Sequence, residues 1–108
     1  MDYSQLSDFE INKRVAVELG HYIEEEKYGN ASVGAFHSDG VVYKSHDYCN
    51  NPADAWPIIE SNRISIRNRH EGDWKAENEW GESRFHVACN ALRAAMIVFL
   101  MMQDAKHV

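Results

Sequence analysis

The last quarter of the chain restricts the fold more than any other segment. Every residue from Ala94 to Met102 is apolar, and Arg93 is the only full charge between Arg84 and Asp104. A helix that is apolar all round must be covered on more than one side. A membrane span needs about 20 such residues, more than this stretch supplies. The segment therefore predicts either the internal core helix of the protein or a helix shared with a partner.

The extent of this helix follows from a capping residue and a repeat. Ser83 predicts the N-terminal cap, and the pattern runs to about Gln103. Inside it, apolar residues recur at alternating spacings of four and three, which is typical of a heptad-like seam. The seam consists of Phe85, Cys89, Leu92, Met96 and Phe99.

If the helix is shared, it provides an interaction surface, either for another protein or for a second copy of the chain. Trp56 joins this candidate surface because it lies between two prolines of a short helical segment and its burial is not fixed by the pattern. We expect the surface to contain Leu92, Met96, Phe99, Met102 and Trp56.

A second helix is predicted at the N-terminus, over residues 7–19. Ser7 and Glu10 have the spacing of a capping box, in which each side chain satisfies a free backbone N–H. Gly20 suits the left-handed residue that commonly ends a helix. A third, short helical turn is predicted to open with Asn51 as its cap.

That short turn carries two prolines with different expected effects. Pro52 suits the first helical position, whereas Pro57 cannot donate a helical hydrogen bond and predicts a kink or a restart. Asn62 is the expected stop.

Two hairpins are predicted from strand-like segments. The first joins residues 32–36 to residues 41–44 through the tight-turn signal Asp39-Gly40. In the second, apolar and charged residues alternate with a period of two, which puts one set on each face of a sheet. The core-facing set is Ile64, Ile66, Trp74 and Ala76.

Together these elements predict one α+β domain over residues 1–108. Its expected architecture is a small antiparallel β-sheet of two hairpins, packed against the N-terminal helix and the long apolar C-terminal helix.

The overall charge disfavours direct binding to nucleic acid. The chain has a formal net charge of −6, whereas duplex-binding domains are usually basic because they neutralise phosphates. The exception is a basic stripe of Arg63, Arg67 and Arg69 on one strand face. Cross-strand ion pairs with Glu77 and Glu79 would explain the same pattern, and we favour that interpretation.

Cysteines and histidines suggest a metal site or a nucleophile, neither of which we adopt. Two cysteines are too few for a disulfide framework. The pairs His46-x-x-Cys49 and His86-x-x-Cys89 could form a zinc site, but Cys89 also fits the apolar seam as a small hydrophobic residue. Cys49 lies in a polar loop, and nothing nearby in sequence supplies an orienting group or an oxyanion hole. We therefore assign no catalytic, cofactor-binding or metal-binding residue.

Four blocks carry a resemblance to a known family. They are Leu6–Asn12, Asn50–Ile59 running on to Ile64, Trp74–Ala76 and Leu92–Met96. In this order they resemble the NinX-like proteins of lambdoid phages and prophages, a family without an assigned activity. The resemblance implies a phage setting and the host cytoplasm, and it transfers no catalytic or ligand residue.

Three function hypotheses follow from these observations. The leading one is a non-enzymatic phage accessory protein that binds a phage or host protein, with no cofactor and no membrane. The alternative is a nucleic-acid-associated factor that uses the basic stripe. A small zinc protein or hydrolase is the weakest of the hypotheses.

Overall fold

The fold was analysed in a computed structural model that describes residues 2–20, 22–28, 32–36, 43–78 and 84–106, with the backbone alone described from residue 22 to residue 45. Within these residues, a 3-10 turn, Tyr3–Gln5, precedes three helices and six strands. In chain order these are α1 (Asp8–Glu18), β1 (Tyr22–Tyr28), β2 (Ser32–Phe36), β3 (Tyr43–His46), α2 (Pro52–Ser61), β4 (Ile64–Asn68), β5 (Trp74–Asn78), β6 (Arg84–Ala88) and α3 (Ala91–Lys106).

The strands form two antiparallel sheets of three strands, in the orders β1-β2-β3 and β4-β5-β6. The α+β class and both predicted hairpins, β2 with β3 and β4 with β5, are confirmed. Each hairpin has gained a third strand that was not predicted, β1 in one sheet and β6 in the other. The predicted Asp39-Gly40 turn lies outside the described residues.

The segment before α3 corrects the prediction for the long helix. Residues Arg84–Ala88 form β6, which pairs with β5, so a helix from Ser83 onward is wrong. Ser83 itself lies outside the described residues. The Oδ1 of Asn90 accepts hydrogen bonds from the backbone N–H groups of Leu92 at 2.8 Å and Arg93 at 3.2 Å, so Asn90 is the cap.

The five residues of the predicted seam therefore do not lie on one helix. Phe85 is 56% exposed and Cys89 is exposed, because one lies on a strand and the other in the connection to α3. Phe85 and Cys89 have the spacing to Leu92 that a helical repeat would give, although neither of them lies on a helix. At its other end α3 extends past Gln103 to Lys106.

The apolar segment of α3 is the centre of the core. All residues from Ala94 to Leu100 are buried, and α3 contacts α1, α2 and all three strands of the second sheet. Of the two predicted roles for this segment, internal core helix or helix shared with a partner, the structure therefore shows the first. Among the helices of the described residues, none is both long and apolar enough to cross a membrane.

The two shorter helices have the predicted ends. The Ser7 hydroxyl accepts from the Glu10 N–H at 3.2 Å, and Gly20, with φ of +81°, follows the end of α1. In α2, Asn51 is the cap and Asn62 the stop. The predicted restart at Pro57 is wrong, because α2 runs through it as one helix. Pro57 lies on the exposed side, where water can solvate the carbonyl that lacks its N–H partner.

The corrected start of α3 predicts how substitutions at Asn90 behave. Asn90→Ala removes the cap and should lower the free energy of unfolding by about 1 kcal/mol in urea titrations. Asn90→Asp keeps the capping oxygen and should retain most of that stability. Equal losses in both variants would contradict capping by Asn90.

Candidate functional site

A polar network joins the starts of the three helices. Its contributors are Asp8 in the first turn of α1, Asp47 and Asn50 before α2, and Asn90 and Arg93 at the start of α3. Each of three sequence blocks, Leu6–Asn12, Asn50–Ile59 and Leu92–Met96, supplies at least one member. Because helix N-termini carry partial positive charge, carboxylates at this junction are electrostatically favourable.

Asn12 is the buried centre of this network. Its side chain is on α1 and has 0% exposure. Its Nδ2 donates to Asp47 Oδ1 at 2.9 Å, and its Oδ1 accepts from the Cys49 backbone N–H at 3.0 Å. A buried amide is stable only with such partners, so Asn12 ties the loop before α2 to α1.

Arg93 closes the network from α3. Its Nη1 lies 2.7 Å from Asp8 Oδ1, and its Nη2 donates to the Leu6 carbonyl at 2.7 Å. Asn50 donates to Asp8 Oδ2 at 3.2 Å and accepts from Asn90 at 3.0 Å. These contacts fix the N-terminal segment, the loop before α2 and α3 relative to one another.

The network therefore positions helices and offers little chemistry. Its carboxylates are taken by amide and guanidinium groups of the chain itself. Sequence reasoning missed Asn12, although one signal was present: it is a polar residue between Ile11 and Val15, which are both fully buried on α1.

The four candidate zinc ligands do not form a site. His46 Nδ1 lies 3.0 Å from Asp54 Oδ1, and its ring stacks on Tyr48 at a centroid distance of 5.3 Å. Cys49 is buried, Cys89 is exposed, and His86 is on β6. Across the described parts of the chain, no three His, Cys, Asp or Glu side chains are placed to share a metal ion.

The two cysteines have environments opposite to those their sequence context indicated. Cys49 lies in a polar loop but has 0% exposure, and its Sγ–H donates to the Asp8 carbonyl at 4.0 Å. Burial, with a smaller contribution from the Asp8 charge, raises the pKa of this thiol far above its usual range. Cys89, expected on an apolar seam, is exposed. The protonated Cys49 thiol is therefore a poor nucleophile.

His86 lies near the network. Burial first, and the positive charge of Arg93 second, lower the pKa of His86. The neutral imidazole is favoured in this setting.

The basic stripe is divided among different partners. Arg67 Nη2 lies 3.4 Å from Glu77 Oε1, as predicted. Arg69 follows the end of β4 and contacts Glu71 and Asp73, the latter at 2.9 Å from its Nε. Arg63 precedes β4 in a left-handed conformation, with φ of 53°. Of the three arginines only Arg67 lies within β4, so they do not form a stripe along one strand. Glu79 lies outside the described residues.

The residues proposed as an interaction surface differ in accessibility. Met96 and Phe99 are buried in the core, and Leu92 and Met102 are partly buried against it. Trp56 is 56% exposed on α2. Pro52, Ala53 and Pro57 are exposed beside it on the same helix. Trp56 with these three residues is called the α2 apolar face below.

The other tryptophans do not extend this face. Trp74 has the core-facing parity of Ala76 on β5 and is half-buried at the strand end. Trp80 lies outside the described residues.

A cleft of about 260 Å³ lies between α1 and α3. One wall is Tyr3, whose hydroxyl donates to Asp104 and thereby holds the first turn of the chain against the end of α3. Burial, and next this hydrogen bond, raise the pKa of Tyr3 to about 12. The remaining lining mixes both charges with aliphatic groups: Glu10, Lys13, Arg14, Val17, Glu18, Leu100 and Asp104.

Substitutions at the buried Asn12 and at the exposed Asn50 should lower the free energy of unfolding by unequal amounts. Asn12→Ala leaves the Cys49 N–H without its acceptor and should lower the free energy of unfolding by about 1–3 kcal/mol. Asn50→Ala is the control, because Asn50 is exposed and water can replace its contacts. Urea titrations at pH 7 measure both, and an equal loss from Asn50→Ala would contradict a special role for the buried position.

Thiol accessibility predicts selective labelling. In the native protein, a maleimide or a disulfide reagent should modify Cys89 quickly and Cys49 only when the chain unfolds. Cys89→Ser should remove the fast phase, and urea should restore reactivity at Cys49. Fast native labelling of the Cys89→Ser variant would show that Cys49 is accessible and would reopen the nucleophile hypothesis.

Comparisons with known proteins agree with the resemblance. The family model described as bacteriophage P22 NinX matches residues 2–103. No curated protein sequence matches the chain. The crystal structure of a phage protein from Bacillus cereus ATCC 14579 is similar, with a TM-score of 0.70 and 18% identity over 92% of this chain and 89% of that one. At this identity the structure supports the fold alone. The family match covers nearly the whole chain, and the protein therefore belongs to the phage P22 NinX family.

Proposed function

We propose that this protein is a non-enzymatic accessory protein that acts by binding another protein of the phage or its host. The observation that carries the proposal is the exposure of Trp56 on the α2 apolar face. A tryptophan is costly to leave in water, since burying a large apolar side chain contributes about 1.5–3 kcal/mol. Tryptophan is also enriched among the residues that dominate binding energies at protein interfaces.

The support beneath Trp56 suits a binding surface. Ala55, Ile58 and Ile59 bury the opposite side of α2 in the core, so the helix is held in place. A rigid anchor loses little conformational entropy on binding.

The non-enzymatic part of the proposal rests on Cys49. This candidate nucleophile is buried and its pKa is raised, which keeps it protonated at neutral pH. The polar network around it is occupied by contacts within the chain. We propose that this binding takes place in the host cytoplasm, the setting that the family resemblance implied.

Two other modes of action have less support. Self-association through α3 would use the partly buried Leu92 and Met102, since the centre of α3 is already covered. Nucleic-acid binding through the basic stripe would have to compete with the carboxylates that contact Arg67 and Arg69.

The Trp56 proposal predicts the loss of a partner. The tagged protein, purified gently from phage-infected cells and analysed by native mass spectrometry, should carry a phage or host protein at a fixed stoichiometry. Trp56→Ala should lose that protein, because it removes the anchor without disturbing the core.

Val17→Ala is the matched control, since Val17 is similarly exposed at 55% but lies on α1. Retention of the same partner by Trp56→Ala, or a bare wild-type protein, would contradict this proposal.

A further inference from the structure

The outward face of the β4–β5–β6 sheet is a second candidate surface. In each strand, residues that alternate with the core-facing ones point away from α3, and the strand register aligns them in rows. Ser65, Glu77 and Phe85 form one row, and Arg67, Lys75 and Val87 form the next. These six residues are called the outward face. We infer that this face binds an acidic protein segment that carries an apolar side chain.

The charge of the outward face is opposite to that of the chain. The protein has a net charge of −6, yet the six residues named here, all in the described part of the chain, include two cations and one carboxylate. Glu77 is shared between them, with its oxygens 3.4 Å from Arg67 Nη2 and 3.9 Å from Lys75 Nζ. One carboxylate cannot neutralise two cations, and the Arg67 side chain is 63% exposed. Charge complementarity therefore favours an acidic partner.

An apolar anchor point lies beside these cations. Phe85 is 56% exposed, and Lys75 Nζ lies 4.6 Å from the centre of its ring. A partner side chain packed on the free part of the ring would bury both apolar surfaces and bring a neighbouring carboxylate within reach of Lys75. The combination selects a segment with acidic and apolar residues close together.

The position of Phe85 favours an extended segment. β6 is at the edge of its sheet in the order β4-β5-β6. An edge strand can accept a further strand, whose backbone hydrogen bonds add affinity while alternate side chains provide specificity.

A single-stranded nucleic acid fits the same face less well. Bases bind such surfaces by stacking on aromatic rings, and here Lys75 covers one side of the Phe85 ring.

A displayed library of random dodecapeptides provides the test without knowledge of the natural partner. Peptides are selected on the wild-type protein and counter-selected on Phe85→Ser. The enriched peptides should combine Asp or Glu with apolar residues. Enrichment without excess acidic residues, or no peptide sensitive to Phe85→Ser, would overturn the inference.

One enriched peptide, labelled with fluorescein, is then titrated by fluorescence anisotropy. Phe85→Ser and Arg67→Glu should each weaken binding at least tenfold, whereas Val17→Ser and Trp56→Ser should not change it. Insensitivity to Phe85→Ser and Arg67→Glu would overturn the inference, as would equal weakening by Val17→Ser. The Trp56→Ser result keeps this surface separate from the α2 apolar face, so either proposal can fail alone.

Glu77→Gln should strengthen binding, an effect that a loss of folding cannot produce. Removing the carboxylate frees Arg67 and Lys75, so this variant should bind the acidic peptide several-fold more tightly. Weaker or unchanged binding would contradict the electrostatic basis of the inference. Tight binding of a ten-nucleotide single-stranded oligo(dT), lost in Phe85→Ser, would replace the protein segment with nucleic acid.

Discussion

The buried Asn12 amide and the network around it are the constraint on which the rest of the structure depends. α3 is apolar over most of its surface and must be enclosed by elements from distant parts of the chain. Enclosure requires that the helices start at defined places. Asn12 and Arg93 provide this by bonding to backbone groups of the loop before α2 and of the N-terminal segment. Hydrophobic burial is not directional, whereas hydrogen bonds of this kind are, so the network selects one packing among several apolar ones.

Local signals predicted the parts of the fold that local interactions determine. Ser7, Asn51 and Gly20 act within one turn of themselves, and the structure has them in the predicted roles. The β4–β5 hairpin followed from alternation within two adjacent segments. The α3 boundary failed because the apolar spacing of Phe85 and Cys89 continues a helical repeat by chance. Pairing of β6 with β5 decides that segment, and a one-dimensional pattern does not contain that pairing.

In the candidate sites too, contacts between neighbouring segments were predicted correctly, whereas burial that depends on distant segments was not. The charge on Arg67 was matched to Glu77 correctly, because both belong to one hairpin. The burial of Cys49 could not be predicted, since it depends on Asn12 and on helices that lie far away in sequence. Neither could the exposure of Phe85, which a helical assignment had placed on an apolar seam. Cys49 and Phe85 were thus misjudged because their surroundings come from parts of the chain that are distant in sequence or paired across the sheet.

The similarity to the Bacillus cereus phage protein bears on what the fold requires of the sequence. Two chains with 18% identity share this architecture, so the fold tolerates replacement of most side chains. Trp56 and Phe85 do not belong to the buried core, and both side chains are more than half exposed. The two aromatic residues also differ in their electrostatic surroundings, since Phe85 lies beside Lys75 whereas Trp56 has Pro52, Ala53, Pro57 and the exposed Glu60 as its neighbours on α2. The two proposed surfaces therefore differ in the chemistry of the side chains that they offer to a partner.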